Sequence, residues 1–110
     1  MQIVEENRND ISIFKLSGRL DSNTSPEFEE KIAGAIANGA NLMVVDFENL
    51  AYLSSAGLRV LLKTTKDLKK NNGKLVLCSM ADYVREVFEI SGFDTFLPIV
   101  ATLEDALKAF

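Results

Sequence analysis

Apolar positions along this chain recur at intervals of two in some stretches and near 3.6 in others, and the switching lays out its elements. Residues 2–6 and 11–17 read as two short strands around Asn7-Arg-Asn-Asp10. Asn and Asp side chains bond the local backbone and tolerate unusual dihedrals, so this tight turn predicts an antiparallel pair at one edge of a sheet. Leu42 to Phe47 is almost continuously apolar, as parallel strands covered on both faces are. Lys74–Cys78 reads as the next strand, and Phe96-Leu-Pro-Ile-Val100 as the last. Pro98 cannot donate to a ladder, which puts that last strand at an edge.

Helical spacing fills the intervals. Ser25-Pro26-Glu27 starts a helix with a capping hydroxyl, a proline in the first turn, and glutamates 27, 29 and 30 near the positive end. Phe28, Ile32, Ala35 and Ile36 form its apolar face, and Asn38-Gly39 stops it. Leu58, Leu61, Leu62 and Leu68 share one face of a helix over 55–70, which Asn71-Asn-Gly73 ends. Ser79 opens a third helix with Val84, Val87 and Phe88 on its face, closed by Gly92. Thr102-Leu-Glu-Asp105 is a capping-box variant before a last helix carrying Leu103, Ala106, Leu107 and Phe110. Phe93 and Phe96 are expected to pack that last helix against the sheet.

The order is ββαβαβαβα. It predicts an α/β fold with a mixed, mostly parallel sheet, right-handed crossovers, an antiparallel edge hairpin and amphipathic helices. Partners of such sheets favour the loops at the carboxyl ends of strands. Asp21 follows the 11–17 strand there, and Ser54 and Ser55 follow the 42–47 strand. If those strands are neighbours, acid and hydroxyls come within reach of one another. Ser55, ahead of Ala56 and Gly57, can cap the following helix, or the free N–H groups and the dipole can receive a phosphate. Asp21 can equally be a loop residue. Arg59, Lys63, Lys66 and Lys70 can meet an acidic partner or form a solvated face. Asp46 interrupts its strand either as a hydrogen-bonded acid near the site or as an edge residue.

Composition narrows the chemistry. With 110 residues and no repeat, low-complexity stretch or linker, one domain over 1–110 is expected. A net charge of −4 argues against nucleic acid as a partner. No apolar run reaches the roughly 20 residues of a membrane span, and the first residues lack the basic and apolar regions of a signal peptide. With the one cysteine, Cys78, in an apolar strand, a cytoplasmic location without membrane insertion is expected. The absence of histidine removes Ser-His-Asp and Cys-His catalysis and the usual zinc sites. A Ser–Lys dyad or paired carboxylates would remain, and no spacing locates either, so a non-enzymatic role is expected, with no cofactor and no metal.

Four segments carry a family resemblance: Ser17-Gly-Arg-Leu-Asp21, Val45-Asp-Phe-Glu-Asn-Leu50, Tyr52-Leu-Ser-Ser-Ala-Gly-Leu-Arg59 and Val87-Phe-Glu-Ile-Ser-Gly-Phe93. At these intervals, over roughly residues 2 to 108, the chain resembles the STAS-domain family, specifically the stand-alone bacterial anti-anti-sigma factors (anti-sigma factor antagonists). The resemblance implies a partner-switching regulator. Its switch serine maps onto Ser55, with Ser54 the second choice. A GHKL-type kinase that is also the anti-sigma factor phosphorylates it, a PP2C-type phosphatase reverses this, and only the unphosphorylated form binds the kinase. The implied partner surface is Asp21, Ser54, Ala56, Gly57 and Arg59. Where many members have aspartate before the switch serine, this chain has Ser54, which alters the local electrostatics. Members without a usable serine act as constitutive interaction subunits, for example in lipid-transport complexes.

Overall fold

The computed structural model describes residues 1–110 and contains the predicted order of elements. Strands β1 (Gln2–Arg8) and β2 (Ile11–Leu20) form the hairpin, followed by α1 (Ser25–Ala37), β3 (Leu42–Leu53) and α2 (Ser55–Lys69). Then come β4 (Lys74–Cys78), α3 (Asp82–Ser91), β5 (Ile99–Val100) and α4 (Leu103–Leu107). The five strands lie in the order β1-β2-β3-β4-β5. The β1–β2 pair is antiparallel and the other pairs are parallel.

That order decides where the helices go. Each crossover advances one strand in the same direction, and right-handed connections therefore place α1, α2 and α3 on one face. Phe14, Leu16, Met43, Val45, Phe47, Leu75 and Leu77 point to that face, where Phe28, Leu61, Leu68 and Phe88 pack on them. The alternate residues Ile11, Ile13, Val44, Val76 and Cys78 point the other way, against Ala106 of α4. The last helix makes no crossover and is left to cover the second face. No helix is long and apolar enough to cross a membrane.

Several boundaries differ from expectation, each for a physical reason. The strands β2 and β3 run on to Leu20 and Leu53, past the expected ends at 17 and 47. Their register advances from Lys15↔Asp46 to Ser17↔Asn49, and from Gly18↔Leu50 to Arg19↔Tyr52, so β3 spends an extra residue twice. Such bulges break the period of two. The buried positions become Phe47, Leu50 and Leu53, a spacing of three that hides the strand in the sequence. Gly18 takes φ +98° beside these shifts, where a side chain would be strained.

The last strand shrinks to two residues, because a 3-10 turn at Phe93–Thr95 precedes it and Leu97, not Phe96, enters the core. Phe96 is 63% exposed, and Phe93 packs on the face of α1–α3. Neither phenylalanine holds the last helix, which ends at Leu107 with Phe110 beyond it. The third helix starts at Asp82 rather than Ser79, which adopts φ +62°. In the first helix Thr24 takes the cap position, while the Ser25 hydroxyl donates to the Asp21 carbonyl at 2.6 Å instead of capping. Asp46 lies in the central strand, 4% exposed, and accepts the Glu48 N–H at 3.0 Å. It is a hydrogen-bonded acid, not an edge residue.

Candidate functional site

The strands β2 and β3 are neighbours, so the loops after them come together at one end of the sheet. Their last register pair is Leu20↔Leu53, and the Ser54 N–H continues the ladder to the Leu20 carbonyl at 2.9 Å. Ser54 then turns the chain into α2 from an extended N-cap conformation, φ −97° and ψ 173°. Its hydroxyl makes no capping bond; the oxygen is buried and has no hydrogen-bond partner. Ser55 is the first helical residue and is exposed. The cap position thus belongs to Ser54, and the reading of Ser55 as the cap is corrected. A first turn without acidic residues leaves the positive end of α2 uncompensated.

The helix reaches this position because Gly57 lacks a side chain. A Cβ there would lie 2.7 Å from Leu20 Cγ and 2.8 Å from Leu53 Cδ1. Leu20 and Leu53, both buried, are the strand-end residues that the bulges carry beneath α2. Ala56 is half-buried beside Gly57. One turn on, Arg59 is exposed and its Nε donates to the Ser55 carbonyl at 3.4 Å.

Asp21 sits next to Ser54 across the strand ends but turns its carboxylate into its own loop. Asp21 Oδ1 accepts the N–H groups of Asn23 at 2.9 Å and Thr24 at 3.2 Å, and Oδ2 lies 3.8 Å from Arg19 Nε. The Asn23 N–H is the largest influence holding the Asp21 carboxyl below its ordinary value; partial burial opposes it, and Thr24 and Arg19 add to the lowering. The loop-residue reading of Asp21 therefore describes its structure, at a place that also borders the serines. Arg19 stacks over the ring of Tyr52 at 4.1 Å from its centroid. A groove of about 300 Å³ separates the starts of α1 and α2, lined by Ser22, Ser25, Pro26, Ala56, Arg59 and Lys63. Lys63 bridges it to Glu29 at 2.8 Å. Lys63, Lys66 and Lys70 are exposed on α2, as a solvated face would be.

The structure thus gathers Asp21, Ser54, Ser55, Ala56, Gly57 and Arg59 at one end of the sheet. Sequence reasoning did not single out Arg19 and Tyr52. They face each other only because of the second bulge, and a change in register carries no residue-type signal.

This end of a five-stranded mixed sheet, with a small-residue helix start packed on a strand pair whose register two bulges shift, defines a class. A STAS domain model matches residues 2–106, and the chain belongs to the STAS family. Among its relatives, BtrV of Bordetella bronchiseptica, a presumptive anti-sigma factor antagonist, is 42% identical over 95 residues, covering 86% of this chain and 82% of that one. The crystal structure of an anti-sigma factor antagonist from Mycobacterium paratuberculosis superposes with a TM-score of 0.90 at 29% identity, covering 98% and 92% of the two chains. The Bacillus cell fate determinant SpoIIAA in its phosphorylated form gives a TM-score of 0.77 at 26% identity, with 97% of each chain covered.

Proposed function

We propose that the chain is an anti-sigma factor antagonist, a non-enzymatic regulator acting in the cytoplasm as one STAS domain over residues 1–110. In this reading its unphosphorylated form binds a GHKL-type kinase that is also the anti-sigma factor, through Asp21, Ser54, Ala56, Gly57 and Arg59. Phosphorylation of Ser55 releases it, and a PP2C-type phosphatase restores binding. The observation that carries the choice of residue is the contrast between the two hydroxyls. Ser54 Oγ is buried, whereas Ser55 stands exposed at the first position of α2. Relatives named as anti-sigma factor antagonists and a structural neighbour in a phosphorylated form support the class.

The chemistry is a simple transfer. Ser55 Oγ attacks the γ-phosphorus of ATP, the Oγ–P bond forms as the bond to the β-phosphate oxygen breaks, and ADP leaves. The hydroxyl proton passes to a base on the kinase. In the reverse direction water attacks phosphorus, returning the hydroxyl and inorganic phosphate. The modification adds about −1.5 to −2 charges and three acceptor oxygens. On the free domain this charge rests against helix N–H groups, and at the interface it must be desolvated against a surface shaped for a hydroxyl. A like-charge or unpaired-charge penalty of about 3–4 kcal/mol weakens binding several-hundred-fold, at about 1.4 kcal/mol per factor of ten.

Intact-mass analysis of the protein from its native host tests the reading. One added phosphate is expected, mapped by fragmentation to Ser55 and lost in Ser55→Ala. No phosphate under any growth condition would replace the switch with a constitutive binding module, and a phosphate on Ser54 would move the residue.

A further inference from the structure

The first turns of α2 contain a cation whose place is explained neither by the core nor by an ion pair. Arg59 is exposed, is joined to no carboxylate, and has only the Ser55 carbonyl as a hydrogen-bond acceptor, at a long 3.4 Å. Its neighbours are occupied. Lys63 is held by Glu29 at 2.8 Å, and Arg19 lies between Tyr52 and Asp21. Residues four apart on a helix are neighbours, and side chains lean toward the helix N-terminus. The Arg59 guanidinium therefore lies over the turn that begins with Ser55.

We propose that Arg59 is the intramolecular partner of a phosphate on Ser55: it leaves the Ser55 carbonyl, pairs with the phosphate oxygens and holds the phosphate on the start of α2. The proposal rests on Ser55 being the modified residue. An anion N-terminal to a cation at this spacing is the favoured arrangement on a helix, and phosphate on arginine forms charge-assisted, two-point hydrogen bonds. No acidic residue in the first turn of α2 opposes it. The groove beside Arg59 is also lined by Glu29, but that carboxylate is held by Lys63 at 2.8 Å, and the guanidinium is free on the surface to turn toward position 55. The consequence is a double change at the partner surface. Phosphorylation adds an anion and also withdraws Arg59 from the partner. A carboxylate at position 55, shorter and less charged, would reproduce only part of that.

The test is a titration that needs no kinase. Full-length protein is made with phosphoserine inserted at position 55 during translation, and its phosphorus NMR shift is followed between pH 4 and 8. An adjacent cation favours the dianion, so the second ionisation of the phosphate should be centred at least about 0.5 pH unit lower than in Arg59→Gln, the exposed setting keeping the effect below that of a buried pair. Arg59→Lys should restore part of the difference. Equal midpoints in wild type and Arg59→Gln would overturn the proposal, as would a shift produced by Arg19→Gln and not by Arg59→Gln. Equal midpoints would leave the switch itself intact. An unphosphorylated Ser55 in the native host would remove the switch without touching this result.

Discussion

Gly57 and Gly34 both lie inside helices, yet exchanging each for alanine should move stability in opposite directions. At Gly57 the new methyl would meet Leu20 and Leu53 side chains below 3 Å, whereas at Gly34 nothing lies within 4 Å. Gly57→Ala should therefore cost about 1–3 kcal/mol through overpacking, and Gly34→Ala should add up to about 1 kcal/mol of helix propensity. Urea midpoints of the two variants check both signs. Asp21 makes a pH-dependent contribution at the same scale. Its carboxyl is held low chiefly by the Asn23 N–H. A group whose folded value lies below its unfolded one stabilises the fold above the unfolded value, near pH 4, and loses that contribution as pH falls through the folded value. The gap in urea midpoint between wild type and Asp21→Asn should hold from pH 7 to 5 and narrow below about pH 4. A gap that persists at pH 2 would assign the effect of the substitution to something other than charge.

The last helix, α4, is short and holds its place by packing on the second face of the sheet and by one cap. It spans only Leu103–Leu107, with Ala106 buried and one side-chain cap, the Asp105 N–H donating to Thr102 Oγ1 at 3.1 Å. Thr102→Ala should cost about 1 kcal/mol. The same helix covers the sheet face that holds Cys78, whose thiol burial pushes up to about 11. In the native protein at pH 8 that thiol should react with a disulfide reagent far more slowly than in urea, and Thr102→Ala should speed the native reaction by loosening α4. An unchanged rate would mean that Cys78 is shielded by the sheet and not by the helix. The extended ends of β2 and β3 behave differently, because the continued ladder and the Leu20 and Leu53 side chains beneath α2 hold them in place.

For the whole molecule, the phosphorylation proposed at Ser55 is expected to act without refolding. Ser55 is on the surface, and a phosphate there displaces no core side chain. Phosphorylation takes a chain of formal net charge −4 to roughly −6. Amide NMR spectra of the protein with and without phosphoserine at position 55 should differ around residues 19–25 and 52–60 and agree in β4 and α4. Widespread shifts reaching Val76 or Ala106 would instead reveal a rearranged core.

The alternation of periods two and 3.6 determined the order of strands and helices, because burial on one face leaves a pattern that residue types record directly. The hydroxyl pair, the small residues after it and Arg59 were legible for the same reason, as a local run at a strand-to-helix turn. The absence of histidine likewise excluded whole classes of catalysis from composition alone. Only the tertiary structure decided which face each helix covers, since that depends on strand order. It alone brought Asp21 beside Ser54 and set Arg19 over Tyr52, because the register between distant strands passes through two bulges that no residue type announces. It also separated Ser54 from Ser55. Chemically the two are the same hydroxyl, and one step along the chain, from the cap position to the first turn of α2, buries one oxygen and leaves its neighbour exposed.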